Sequence, residues 1–216
     1  MNNEGPLKKF NATGALICGG KSSRFGEDKS NITLNGKTLL ELSLEKLSSV
    51  CIDILIVPKN LRKIAPVIKE KYKIIEEYAT AEGPMAGIVA ALESSKYENL
   101  LVLGIDYPLV SVKLLSFILK TIEENVVKMV IPKLNRMYQP LVAAYKKQLL
   151  PLFEKWINIH HNYSLQNFIQ INEGCIYTID VTTYKSLEYE LFNLNTRNDL
   201  QMVKKLYNTN QVYGKN

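Results

Sequence analysis

The densest concentration of chemically useful side chains lies in one short stretch. From position 14 to 29 the chain reads Gly-Ala-Leu-Ile-Cys-Gly-Gly-Lys-Ser-Ser-Arg-Phe-Gly-Glu-Asp-Lys. An apolar run feeds into Gly19 and Gly20, and Lys21, Ser22, Ser23, Arg24 and Lys29 follow within ten residues. Glycines without a Cβ let backbone N–H groups approach an anion, hydroxyls donate hydrogen bonds, and the cations neutralise charge, so the composition is that of a phosphate cradle. Two familiar phosphate motifs do not fit. A GxxxxGK[ST] loop ending on Gly20-Lys21-Ser22 needs glycine where Ala15 stands, and Gly14 is one residue too distant. A GxGxxG fingerprint fails because the glycines fall at 19, 20 and 26. A Gly/Ser-rich turn is the bland reading; Arg24 and Lys29 together favour the cradle.

The second chemical candidate is Asp106, which ends the very apolar run at 100–105. Open α/β sheets bind ligands at the carboxyl ends of their strands. A carboxylate there can hold Mg²⁺, which takes oxygen ligands, water and substrate phosphates. Pro108 ends the strand and fixes the turn, and Ser111 is better placed than Asp106 to cap the next helix. Gly83 and Gly87 bracket small residues at a helix start, which suits either a flat base or ribose against the backbone or plain helix–sheet packing. Asn60 follows the second strand as a nucleotide contact or a helix cap. His160 and His161 read as polar surface, with no third ligand spaced for a metal site.

These residues need elements to hold them. Short apolar runs at 15–18, 53–57, 73–75, 100–105, 129–131, 141–145 and 175–179 are mostly apolar on consecutive positions, which predicts strands buried on both faces. Helix-length amphipathic segments lie at 38–50, 61–71, 84–94, 112–125, 146–157 and 196–207. Pro84 suits a first helical turn, Ser111 a cap, and Thr196 with Asp199 three residues later another helix start. The alternation predicts an α/β fold: a Rossmann-like, doubly wound, mostly parallel sheet with helices on both faces. The closely spaced strands between 129 and 145 suggest an antiparallel edge. A single domain is expected over 13–208, between a polar segment 1–12 and a polar tail 209–216.

The chain has 216 residues, 46% of them hydrophobic, enough for one sizeable core. Net charge is +6, from 27 Lys+Arg against 21 Asp+Glu, but the basic residues are dispersed. No helix-borne or aromatic-interleaved basic stripe supports nucleic-acid binding. Cys18, Cys51 and Cys175 are too scattered for a disulfide framework and point to a reducing cytoplasm. No stretch has the length of a membrane span.

Segment 16–29 resembles the LAGGxSxRMGxDK signature of small Rossmann-like nucleotidyltransferases, with Cys18 for alanine and Phe25 for methionine. Four later segments fall in the same family's order: Gly36-Lys37-Thr38-Leu39-Leu40, Glu82-Gly83-Pro84-Met85-Ala86-Gly87-Ile88, the strand ending Asp106-Tyr107-Pro108, and Asn193-Leu194-Asn195-Thr196 leading to Asp199-Leu200. Among these enzymes the chain most resembles the molybdenum cofactor guanylyltransferases, from about Ala15 to Leu206. The resemblance implies Mg²⁺-dependent transfer of GMP from GTP to the terminal phosphate of molybdopterin. It implies Lys29, Arg24 and Asp106 as catalytic groups, with Asp106 the metal ligand. It places Cys18, Gly19, Gly20, Lys21, Ser22, Ser23, Lys29, Asn60, Glu77, Gly83, Gly87 and Asp106 around the nucleotide, and Gln139, Asn193 and Asn195 on the acceptor side. Where the family has an aspartate ahead of the Gly-Pro segment, Glu76 and Glu77 are the candidates here, so that contact is altered or moved. Where the family shows arginine near the pterin, it has His160-His161-Asn162-Tyr163-Ser164. Gly19-Gly20 resembles the guanylyl enzymes more than the Ala-Ala-Gly of cytidylyl relatives. Delivery proteins, a monomeric or weakly oligomeric state and a cytoplasmic location are further implications. The alternatives are a relative using CTP or a sugar phosphate, and a non-catalytic nucleotide-binding module. The first lacks the G-x-G-T-R loop of sugar enzymes, and intact Arg24, Lys29 and Asp106 argue against the second.

Overall fold

The computed structural model describes residues 9–18, 29–58, 64–78, 80–160, 163–181 and 185–213. Its centre is a sheet in the order β10-β7-β9-β6-β1-β4-β5, with β8 paired to β7. The strands are β1 (Phe10–Ile17), β4 (Cys51–Val57), β5 (Lys73–Ile74), β6 (Asn99–Gly104), β7 (Met129–Leu134), β8 (Met137–Tyr138), β9 (Val142–Lys146) and β10 (Ile176–Asp180). Parallel ladders join β4 to both β1 and β5, β1 to β6, and β7 to β10. The expected doubly wound, mostly parallel sheet is therefore present.

The antiparallel strand lies inside the sheet and not at an edge. β9 pairs antiparallel with β6 on one side and with β7 on the other. Residues 142–145 are all buried, and a strand buried on both faces gains most when neighbours also satisfy both rows of its backbone groups. The ends of the sheet path are β5 and β10, and most residues of β10 reach solvent. The reversal between β7 and β8 uses Asn135 and Arg136, both at positive φ (49° and 67°), as a two-residue hairpin turn requires.

A small hairpin, β2 (Thr33–Leu34) and β3 (Lys37–Thr38), turns through Asn35 and Gly36, again at positive φ, and delivers Thr38 to the start of α1 (Leu39–Val50). Thr38 Oγ1 accepts from Glu41 N, and the Glu41 carboxylate accepts from Thr38 N, a complete capping box. Of the helix expected over 61–71, residues 61–63 lie outside the described residues, and α2 (Pro66–Lys71) starts at Pro66, which disfavours the helical region for Ala65 before it. Helix α3 (Gly83–Ser94) starts through Pro84, and α4 (Val112–Glu124) is capped by Ser111, as expected. After β9 a short 3₁₀ turn precedes α5 (Leu150–His160), which displaces the helix expected over 146–157. Helices α6 (Leu165–Ile171) and α7 (Lys185–Glu190) are too short to show a period and escaped the sequence pattern. The last helix is α8 (Arg197–Tyr213).

Helices α1 and α4 pack together against one face of the sheet, and α3 with α5 covers the other. Phe153 stacks on Phe168 with centroids 4.0 Å apart, and Tyr145 and Trp156 meet this pair edge-on, which ties α5 and α6 to β9. Among the described residues no helix is long and apolar enough to cross a membrane.

Gly87 lies where α3 crosses β1. A Cβ there would stand 3.1 Å from Ile17 Cγ2 and 3.2 Å from its Cδ1, so packing alone demands a small residue. Gly87→Val is expected to lower the free energy of unfolding by about 1–3 kcal/mol, read from urea melts, because the added methyls overpack this crossing.

Candidate active site

Strands β1 and β6 are neighbours, yet the chain leaves β1 for β4 and β5 before crossing back to β6. That reversal makes the carboxyl ends of β1 and β6 the topological switch point, where an open α/β sheet leaves a crevice. The two ends are tied together: Ile105 N donates to Ile17 O at 3.0 Å, and on the other side Cys18 N donates to Val57 O at 2.9 Å. Asp106 follows at once. The chain turns sharply here, with Tyr107 N donating to Gly104 O at 3.1 Å. A Cβ on Gly104 would come within 2.5 Å of Asp106 Oδ1 and 3.1 Å of Leu141 Cβ, so the carboxylate folds back over a position only glycine can fill.

The segment before α8 is laid onto this turn. Leu194 N donates to Asp106 O at 2.8 Å, and the Leu194 side chain is fully buried. This anchor presents Asn193 and Asn195. The Asn193 side chain hydrogen-bonds both Asp106 and Tyr107, while its own Oδ1 is buried and without a partner. Asn195 Oδ1 accepts from Lys29 Nζ at 3.3 Å. Asp199 Oδ2 accepts from Asn195 N at 2.9 Å and Thr196 N at 2.7 Å, and Asp199 N donates to Thr196 Oγ1 at 3.2 Å. The expected Thr196–Asp199 helix start is thus formed, and it fixes the asparagines as well.

Charge in the site is held under tension. Burial pushes the Asp106 carboxyl above its ordinary range, opposed by the Lys29 ammonium and the Asn193 side chain. Burial pushes Lys29 down, opposed by Asp106 and Asp199. Each charge offsets part of the other's burial cost, which remains the larger effect on both. An added cation beside Asp106 would relieve the carboxylate. Among the described residues no group of three His, Cys, Asp or Glu side chains could hold a metal by itself. A metal here would draw on Asp106, on neutral oxygens and on its substrate.

Of the residues singled out by sequence, Lys29, Asp106, Asn193 and Asn195 converge on one point. Cys18 closes β1 beside them. Gln139 lies at the same end of the sheet, its Oε1 accepting from Tyr107 Oη at 3.1 Å and its Nε2 donating to Met137 O at 3.2 Å. Glu77 is half-buried in the segment linking β5 to α3, where Tyr78 N donates to Ala86 O at 3.2 Å. Gly83 opens α3 at φ +64°, a backbone demand, and Gly87 faces Ile17. Gly19, Gly20, Lys21, Ser22, Ser23, Arg24, Asn60 and His161 lie outside the described residues; His160 closes α5. Sequence reasoning passed over Tyr107, which links Asp106's turn to Gln139, because an aromatic among apolar residues reads as core.

The MobA-like NTP transferase domain model matches residues 14–174. The probable molybdenum cofactor guanylyltransferase of Aquifex aeolicus is 32% identical over 211 residues, which cover 95% of this chain and 96% of that protein. The protein of the same name from Thermococcus sibiricus is 28% identical, covering 88% of this chain and 96% of its own. The crystal structure of molybdopterin-guanine dinucleotide biosynthesis protein A from Archaeoglobus fulgidus superposes with a TM-score of 0.75 at 24% identity, over 91% of this chain and 99% of that one. At that identity the last match speaks for the fold.

Because folding raises the Asp106 pKa, this group favours the folded state at low pH and loses that advantage as pH rises through the raised value. Asp106→Asn removes the dependence. In metal-free buffer the variant is expected to melt above the wild type at neutral pH, with the gap closing below about pH 4, where unfolded carboxylates also protonate. Equal melting temperatures across that range would overturn this account of the site's charge.

Proposed function

The chain belongs to the MobA-like NTP transferase family, and from that premise we propose that it transfers GMP from GTP to the terminal phosphate of molybdopterin, with release of pyrophosphate. The observation that carries the reading is the meeting of Asp106, Lys29 and the buried, unpartnered Asn193 Oδ1 at the β1–β6 switch point. A carboxylate, an ammonium and an unsatisfied carbonyl oxygen in one crevice suit a triphosphate and its metal, not an apolar ligand.

Mg²⁺ is the cofactor we assign. Asp106 and Asn193 would hold it: both supply hard oxygens, and a buried acceptor without a donor is what an absent cation leaves behind. Bound there, Mg²⁺ would neutralise phosphate charge. In the transfer, an oxygen of the acceptor's phosphate monoester bonds to the α-phosphorus of GTP. The bond from that phosphorus to the bridging oxygen breaks, and pyrophosphate departs with the electron pair. A phosphate monoester is largely ionised at pH 7, with a second pKa of about 6, so the attacking oxygen needs no general base. Catalysis then reduces to placement and charge neutralisation. Lys29 and Arg24 neutralise the developing charge, and residues 19–23 donate N–H and O–H groups to the triphosphate. Gly19-Gly20 supports guanine as the base; Glu77, Asn60 and the start of α3 at Gly83 contribute to the nucleoside side. Gln139 and Asn195 lie toward the acceptor. A cytoplasmic location belongs to the same proposal.

Titration calorimetry with GTP, CTP, ATP and UTP in the presence of Mg²⁺ tests the reading. Selective GTP binding that is weakened in Asp106→Ala is expected. Lys29→Ala should lower guanylyl transfer to molybdopterin by about 10²–10³-fold, the usual loss of one preorganised transition-state donor. CTP preference would move the chain to the cytidylyl relatives, and no triphosphate binding at all would sink the proposal.

A further inference from the structure

The turn 106–111, which carries Asp106, is held from outside at three points. Leu194 N bonds Asp106 O from the segment before α8. Lys46 of α1 donates from Nζ to Pro108 O at 2.6 Å. Glu190, the last residue of α7, accepts from Ser111 N through Oε2 at 2.8 Å. The first contact belongs to the site already described. The other two come from residues that touch neither Lys29 nor Asn193 in the described contacts and that have no place in the chemistry above.

Both contacts tie a helix outside the site to the turn that carries Asp106. Lys46 neighbours the buried Leu42, Ser43, Leu47 and Val50 on α1, and burial pushes its ammonium down to about 8 although Glu190 opposes the shift. A lysine on a helix normally keeps its ammonium in water. Here it is desolvated to donate to a single carbonyl two residues beyond Asp106. Glu190 takes the N–H of Ser111, the N-cap residue of α4, as the acid of a capping box would, while Ser111 Oγ accepts from Leu114 N at 3.0 Å. Because Ser111 also ends the Asp106 turn, the same carboxylate holds that turn from α7.

We infer that Lys46 and Glu190 are positioning residues, a brace from α1 and α7 that fixes the Asp106 turn and so the direction in which its carboxylate meets the metal. The inference rests on the guanylyl-transfer reading. Asp106 Oδ1 lies over Gly104, where a Cβ would meet it, so the position of the carboxylate follows that of its turn. Partners that orient a metal ligand commonly change metal affinity or activity by about 10–100-fold when removed. Mere packing of α1 and α7 would instead be felt in stability.

The test uses the full chain as wild type, Lys46→Met, Glu190→Ala and Glu190→Gln. Mn²⁺ binding in the presence of GTP is followed by the electron paramagnetic resonance signal of free Mn²⁺. Melting temperature, GTP affinity in EDTA and the Mg²⁺ concentration for half-maximal guanylyl transfer are measured alongside. Lys46→Met, which keeps the apolar stem, and Glu190→Ala are expected to raise the Mn²⁺ dissociation constant and half-saturating Mg²⁺ by about 10–100-fold. GTP affinity in EDTA stays at the wild-type value, and Lys46→Met melts no lower than the wild type. Glu190→Gln retains an oxygen acceptor for Ser111 N and restores most of the metal affinity. Wild-type metal affinity in both Lys46→Met and Glu190→Ala overturns the brace, as does a Glu190→Gln defect equal to that of Glu190→Ala. A wild type that neither binds Mn²⁺–GTP nor transfers guanylyl removes the functional reading itself, and the brace with it.

Discussion

Asp106 and Lys29 bring opposite charges together at the carboxyl end of β6, where burial works against the ionised form of each. Neither would be favourable alone in that position, because removing a charge from water costs several kcal/mol unless a partner and hydrogen bonds compensate. Much of the surrounding architecture supplies that compensation. Asn193 bonds the carboxylate, Asn195 accepts from the ammonium, and Asp199 adds negative charge behind Lys29 while fixing the backbone of Asn195 and Thr196. The site is thus electrostatically loaded, and the Asn193 oxygen is buried with no hydrogen-bond partner among the described residues.

The sheet makes this loading possible by directing several chain segments to one place. The parallel strands deliver the ends of β1 and β6 side by side, and the crossover through β4 and β5 leaves a crevice between their loops. Reversed β9, placed between β6 and β7, brings Leu141 and Gln139 to the same end: Leu141 O accepts from Gly104 N at 2.7 Å, and Gln139 accepts from Tyr107. Had β9 formed an edge, the strand next to β6 would have been a different one and Gln139 would lie away from Tyr107. The internal reversal therefore joins Gln139 to the turn that carries Asp106.

Several parts of this arrangement are legible in the residues alone. Consecutive apolar runs such as 100–105 read as strands buried on both faces, and local start signals announce the helices at Pro84, Ser111 and Thr196. Asp106 stands out because an acid ending so apolar a run has few structural reasons to be there. Lys46 and Glu190 had no such signal. On sequence they are a lysine and a glutamate on amphipathic stretches, the most ordinary residues of a solvated helix face. Helices α6 and α7 were missed for a related reason, since six or seven residues do not complete two turns of a 3.6-residue period.

Legible from the residues alone were the class of fold, the alternation of the longer strands and helices, and the residue types able to handle phosphate and metal. These are local properties: hydrophobic periodicity, capping and the chemistry of single side chains act over a few neighbouring residues. Only the tertiary structure decided that β9 is internal, that Gly87 serves packing against Ile17, and that Asn193 and Asn195 meet Asp106 and Lys29. It also decided which lysine is desolvated to hold the Asp106 turn. Each of these depends on contacts between segments far apart in the chain. Such pairings are set by how helices and strands pack across the sheet, and no short stretch of residues encodes them.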